Sequence, residues 1–207
     1  MRHSAAQAAA ALVLMLAPAL AQEWRITPDL PDLRLSLKGQ EVVIARSPDA
    51  LPVPSGNLPS CPPHCPQPIE AAPGVKTVGA LEVIGFLQAD VAEGRGHLLD
   101  LRLPEEFAAA HLPGAINMPA VTLSAENPAR RDILRALGGA ETAGGLDFAA
   151  AAGLVIHGAG PLHAEAAEGV RALLAVGYPA DRLWYFRGGL QEWQDFGLTV
   201  SGRTGAH

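Results

Sequence analysis

The sequence predicts an α/β domain built on a parallel sheet with helices on both faces, preceded by a β-hairpin and a proline-rich arm. Three observations carry this. From Gly74 onward, short apolar runs such as Leu98-Leu99 and Leu154-Val155-Ile156 alternate with stretches of helical spacing. Between Ser47 and Pro73 nine prolines exclude a helix or central strand. Before them, Leu33, Leu35 and Leu37 alternate with polar residues, Lys38-Gly39-Gln40 turns, and Val42-Val43-Ile44 follows, the pattern of a hairpin too small to be stable alone.

The chain divides accordingly. Ala8 to Leu16 is an apolar run after Arg2 and His3, and Ala19-Leu20-Ala21 has the small-x-small spacing of a signal-peptidase site. Residues 1–21 therefore read as a signal peptide, with export to an oxidising compartment, most simply a bacterial periplasm. The apolar run is too short to span a membrane, so no span is expected after cleavage. Residues 22–46 form the arm with the hairpin, 47–73 the proline-rich connector, 74–201 the main domain and 202–207 a tail. The formal net charge is −6, with no basic stretch to form an electrostatic footprint for nucleic acid.

Within the domain, Val75 to Val78 reads as a strand and Ala80 to Asp90 as a helix, with Leu81, Ile84, Phe86 and Leu87 at helical spacing. His97 to Leu101 is a buried strand. Pro104 begins a short helix that runs to Ala110, proline being suited to a first turn. Ala115 to Asn117 is the next strand, and Asn127 to Leu137 a helix. Glycines at 138–139 and 144–145 bracket a loop. Gly153 to His157 is a strand, Gly158-Ala159-Gly160-Pro161 a loop, and Leu162 to Val176 an alanine-rich helix. Leu183 to Phe186 is the last strand and Leu190 to Phe196 the last helix, where Trp193 and Phe196 read as core.

In an open parallel sheet, ligands bind beyond the C-terminal strand ends. Three segments meet there: Asp100-Leu101-Arg102, the Gly158 loop, and Arg187-Gly188-Gly189. The Gly158 loop joins a strand to a helix, so its amides and the free N–H groups of the helix start form an anion cradle. Gly158, Ala159, Gly160, His163 and Arg102 are the candidate contacts, His163 only when protonated. Asp100 reads as a residue that fixes the turn, Arg102 as either a turn residue or a ligand contact, and His111 as part of a turn network. The histidines show no zinc-like spacing, and no metal or other cofactor is expected.

The ordered set Asp100-x-Arg102, Glu106-Phe107, His111-x-Pro113-Gly114-Ala115-x-Asn117-x-Pro119, the strand-loop-helix from Leu154 to Val176, and Tyr185-x-Arg187-Gly188-Gly189-x-x-x-Trp193 resembles the rhodanese family. The resemblance covers roughly Gly74 to Val200. It implies a five-stranded parallel sheet and, in active members, a sulfurtransferase that carries sulfur as a cysteine persulfide. The family's nucleophilic cysteine directly follows the central strand. Here that position is Gly158, and no residue of the loop offers a replacement. Cys61-Pro62-Pro63-His64-Cys65 resembles a proline-rich CPPxC segment of exported rhodanese-like proteins.

These readings converge on an exported, non-catalytic rhodanese-like module that binds a protein partner or a small sulfur oxyanion. Cys61 and Cys65, the only two cysteines, read first as a local disulfide, second as a thiol redox pair and third as a copper-binding pair. A redox or sulfurtransferase protein using Cys61 or Cys65 is the rival, and it requires one of these sulfurs to reach the Gly158 loop.

Overall fold

The computed structural model describes residues 25–26, 28–37, 40–45 and 60–203. The expected signal peptide and the tail residues 204–207 lie outside the described residues, as does the connector before Ser60. The hairpin forms as expected: β1 (Asp32–Leu37) pairs antiparallel with β2 (Gln40–Ala45), Leu33 opposite Ile44 and Leu35 opposite Val42.

The main domain carries a five-stranded parallel sheet. Its strands are β3 (Lys76–Thr77), β4 (Gly96–Asp100), β5 (Ala115–Asn117), β8 (Gly153–His157) and β9 (Leu183–Phe186), in the spatial order β3-β9-β8-β4-β5. The central strand β8 is buried at all five residues. Its apolar run has no polar alternation because helices cover both sheet faces.

Alternation along the strands divides the core in two. On one face Leu99, Leu154, Ile156, Leu183 and Tyr185 pack with Ala166, Val170 and Leu173 of α4 (Glu165–Ala175) and Leu134 of α3 (Arg130–Ala136). On the other, Leu98, Val155 and Phe186 pack with Val83 and Phe86 of α1 (Ala80–Phe86) and Leu190 and Trp193 of α5 (Gly189–Asp195). Each fully buried leucine here stabilises the fold by about 1.5–3 kcal/mol. Tyr178 closes the first core at its edge, its hydroxyl donating to the Leu137 and Ala152 carbonyls.

Several boundaries differ from the sequence reading, each for a local reason. Helix α1 ends at Phe86 and continues to Val91 as a π-helical turn. The glycine-bracketed loop at 138–145 contains a small hairpin, β6 (Ala140–Thr142) with β7 (Gly145–Asp147). Helix α3 starts at Arg130 rather than Asn127, because the Asn127 carboxamide oxygen accepts from the Ala129 N–H and forms a turn before the helix. Helix α4 starts at Glu165, three residues later than its apolar pattern suggests. The preceding residues turn instead, with His163 N–H donating to Gly160 O. Phe196 is not core: it caps the end of α5 and is 64% exposed, whereas Trp193 is buried.

The proline-rich segment from Ser60 onward is integral to the domain. Ala71 is buried in the first core, the Thr77 hydroxyl donates to Ile69 O, and Arg171 donates to Ala71 O. The short helix α2 (Pro104–Ala109) follows β4, and the His111 backbone pairs with Ser201, tying the end of the domain to it. The His111 ring stacks on Phe107 and its Nδ1 donates to the Phe107 carbonyl, a turn network as expected.

Candidate functional site

Strands β4 and β8 are neighbours, and their registered ends bring Asp100 opposite His157. Asp100 is fully buried and Arg102 is 6% exposed. The Asp100 carboxylate accepts from the Arg102 backbone N–H (3.1 Å) and Nε (2.9 Å), and Arg102 Nη2 also donates to Ala110 O (2.7 Å). The Asn117 side chain donates to the Asp100 and Arg102 carbonyls, and Met118 N–H donates to Asp100 O. This hydrogen bonding welds the corner after β4 to β5. Arg102 lines the wall of the site, and its charge is paired with Asp100 two residues away.

His157 lies wholly inside, between the two strand ends. Its Nδ1 is 3.2 Å from the Gly158 carbonyl, so Nδ1–H donates there. Its Nε2 sits 3.8 Å from an Asp100 carboxylate oxygen and has no hydrogen-bond partner. Burial pushes the imidazole pKa down, and this outweighs the attraction of Asp100, which Arg102 also opposes. His157 is therefore neutral near pH 7, and its approach to Asp100 is not an ion pair.

The loop after β8 is held from below by α5. Leu190 N–H donates to Gly158 O (3.1 Å) and Gln191 N–H to Ala159 O (2.9 Å). The approach is so close that only glycine fits at 189: its φ is +57°, and a Cβ there would lie 3.0 Å from the Ala159 carbonyl carbon. Above, the loop receives Glu165, the first residue of α4. Glu165 Oε1 accepts from Ala159 N–H at 2.8 Å. A Cβ at Gly158 would lie 2.8 Å from Glu165 Cδ and 2.9 Å from Cγ, and closer still to Oε1. The space beside Gly158, where a side chain would begin, is thus filled by a carboxylate from seven residues downstream.

The proline-rich arm docks on the same loop. Gln67 N–H donates to Pro161 O at 2.8 Å, and the His64 and His163 rings meet with centroids 4.7 Å apart. Arg187, just after β9, clamps the arm by donating to Gln67 O (2.7 Å from Nη2) and Pro68 O (3.1 Å from Nε). Cys61 and Cys65 are joined as a disulfide and are 1% and 6% exposed. The Cys61–Pro62 and Pro62–Pro63 peptide bonds are both cis. Beside the docked arm opens a cavity of about 300 Å³. His64, His163, Arg102, Glu106 and Glu165 line its polar side, and Leu103 and Val121, both exposed, stand at its rim.

Of the sequence candidates, Gly158, Ala159, Gly160 and His163 form one loop, with Arg102 on the adjacent wall. Glu165, His64 and Arg187 complete the constellation. Glu165 had a signal in sequence, an acidic residue near a helix start after a glycine loop, but the apolar pattern set that start too early. Among the described residues, no three His, Cys, Asp or Glu side chains converge to hold a metal ion, and no helix is long and apolar enough to cross a membrane.

Similar solved structures include a Bacillus halodurans protein (18% identity, 63% of this chain and 80% of that one, TM-score 0.48). The rhodanese-like domain of an Anabaena protein matches at 19% identity over 63% of this chain and 82% of its own, with a TM-score of 0.45. Thiosulfate sulfurtransferase from Pseudomonas aeruginosa matches at 20% identity over 65% of this chain and 21% of its own, with a TM-score of 0.46. No curated protein matches the sequence. The family model for the rhodanese-like domain matches residues 85–196, more than half of the chain and the whole strand-loop-helix unit around Gly158; the chain belongs to the rhodanese-like domain family.

Proposed function

We propose that this protein is an exported rhodanese-like module without sulfurtransferase activity, acting as a binding module for a protein partner. The observation that carries the reading is Gly158 with the Glu165 carboxylate packed against it. Persulfide chemistry needs a thiolate at the mouth of this loop, and neither Gly158 nor any residue to Leu162 has a nucleophilic atom. The rival, with Cys61 or Cys65 as nucleophile, lacks support because both sulfurs are committed to a buried disulfide.

Between the two expected occupants, a sulfur oxyanion and a protein partner, the geometry favours the partner. An oxyanion approaching the loop amides meets the Glu165 carboxylate, while Leu103 and Val121 expose apolar surface at the cavity rim. Export rests on the N-terminal apolar run and on the disulfide, which suits an oxidising compartment. The test is a thiosulfate-to-cyanide assay on the mature protein prepared without reductant. No thiocyanate above the buffer rate is expected. Turnover that disappears in Cys61→Ser would overturn the reading in favour of the rival.

A further inference from the structure

We infer that Glu165 is an internal anion seated where the family's nucleophile would stand, and that Gly158 and Glu165 act as one reciprocal pair that closes the loop to both a thiolate and a sulfur oxyanion. This rests on the reading of the domain as non-catalytic and adds a residue to it. The missing cysteine is not a simple vacancy. The volume that a side chain at 158 would need is taken by Glu165 Cγ, Cδ and Oε1. Only glycine at 158 leaves the carboxylate that room.

The electrostatics point the same way. The first N–H groups of a helix have no partner within it, and the N-terminus favours negative charge. In α4, eleven residues long, that charge is supplied by the helix's own first residue. Glu165 also satisfies the Ala159 N–H of the loop with a charge-assisted hydrogen bond. A helix N-terminus lowers a nearby thiol pKa by favouring its thiolate. With Glu165 in place, that advantage is already neutralised, and a carboxylate within contact distance raises a thiol pKa instead. Arg102 offers no counterweight, because Asp100 pairs with it. The imidazole behind the loop, His157, is neutral and donates to Gly158 O, so it brings no positive charge either.

The consequence is specific. A cysteine restored at 158 alone is less reactive than one restored together with removal of the Glu165 carboxylate. In the restored site, the thiolate attacks the outer sulfur of thiosulfate. The sulfur–sulfur bond breaks with its electron pair leaving on sulfite, and a persulfide forms. Cyanide then takes the outer sulfur as thiocyanate, and the thiolate returns.

The experiment compares Gly158→Cys, Gly158→Cys/Glu165→Gln and Gly158→Cys/Glu165→Ala in the full mature chain. The two native cysteines are joined to each other, so iodoacetamide alkylation reads the introduced thiol alone. Its pH profile reports the thiol pKa. The single variant is expected about one pKa unit above either double variant. That shift lowers the thiolate fraction at pH 7 about tenfold and, after the partly compensating gain in nucleophilicity, the rate about threefold. Glu165→Gln separates the two causes: it keeps the shape and removes the charge. Thiocyanate formation is expected from the doubles above the single. Equal pKa values and rates in all three would overturn the inference.

Should Gly158→Cys fail to fold, Glu165→Ala in the native Gly158 background provides an independent test. The backbone amide resonance of Ala159, followed by NMR during titration with thiosulfate, is expected to shift in Glu165→Ala and not in the unaltered protein. An identical response in both would overturn the inference. Neither outcome bears on whether the unaltered protein turns over thiosulfate, so failure of this inference and failure of the non-catalytic reading remain distinguishable.

Discussion

The corner after β4 and the loop after β8 lie side by side at the same end of the sheet, yet they hold their charges in opposite ways. At the corner, Asp100 and Arg102 are sealed from solvent and bound to each other, to Ala110 O and to Asn117-anchored backbone. At the loop, the charge belongs to Glu165, which is only partly buried and reaches back from the next helix to a single backbone amide. The corner holds the frame together, so removing one of its partners strands a buried charge. The loop's charge makes one backbone contact, so its side chain can change without loss of the frame.

This contrast is open to direct measurement. Asp100→Asn leaves the buried Arg102 without its counter-charge and is expected to destabilise the domain by about 3–5 kcal/mol in urea unfolding. Glu165→Gln keeps the size of the side chain and an oxygen for the Ala159 amide, and is expected to cost under about 1 kcal/mol. Equal costs would erase the distinction between a structural corner and a replaceable loop.

The disulfide ranks next. Cys61→Ser/Cys65→Ser opens a short closed loop and is expected to cost about 2 kcal/mol on chain-entropy grounds. Because His64 lies inside that loop and touches His163, the His163 ring resonances should shift in the same variant. An unchanged melting temperature together with unchanged His163 resonances would show that the arm is held without the disulfide, by contacts such as those of Gln67 and Arg187.

The smallest effect is one of pH. His157 has a depressed pKa in the folded protein, so the unfolded chain binds its proton first as pH falls below about 6.5. Between that value and the lower folded pKa, this residue makes stability fall with acidification, by up to about 1.4 kcal/mol per pH unit. Above about 6.5 the imidazole is neutral in both states and contributes no slope. His157→Asn should flatten the difference in unfolding free energy between pH 7 and pH 5.5 relative to the unaltered protein. A difference that persists unchanged would assign the dependence to other groups.

Much of the frame was legible in local pattern. Strands β5, β8 and β9 fall at the residues their apolar runs mark, and Asp100 and His111 make the turn contacts read for them. Boundaries failed where hydrogen bonds turn the backbone before a helix, from a side chain at Asn127 and from the backbone through Pro161 to Ala164, because periodicity registers which residues are buried and not where hydrogen bonding begins. Phe196 failed for a related reason: it has helical spacing, but the helix ends there and the ring turns outward.

Residue type and order alone established the family's frame and the glycine loop that follows β8, since both are properties of short segments. They did not reveal what fills the space beside Gly158. That Glu165 seats itself on Ala159, that Arg102 is occupied by Asp100, and that the Cys61–Cys65 segment lies on the loop under the grip of Arg187 required the packed chain. The reason is physical. Arg187 and Gln67 are 120 residues apart, and whether such groups meet depends on how sheet, helices and arm close together, not on any local preference.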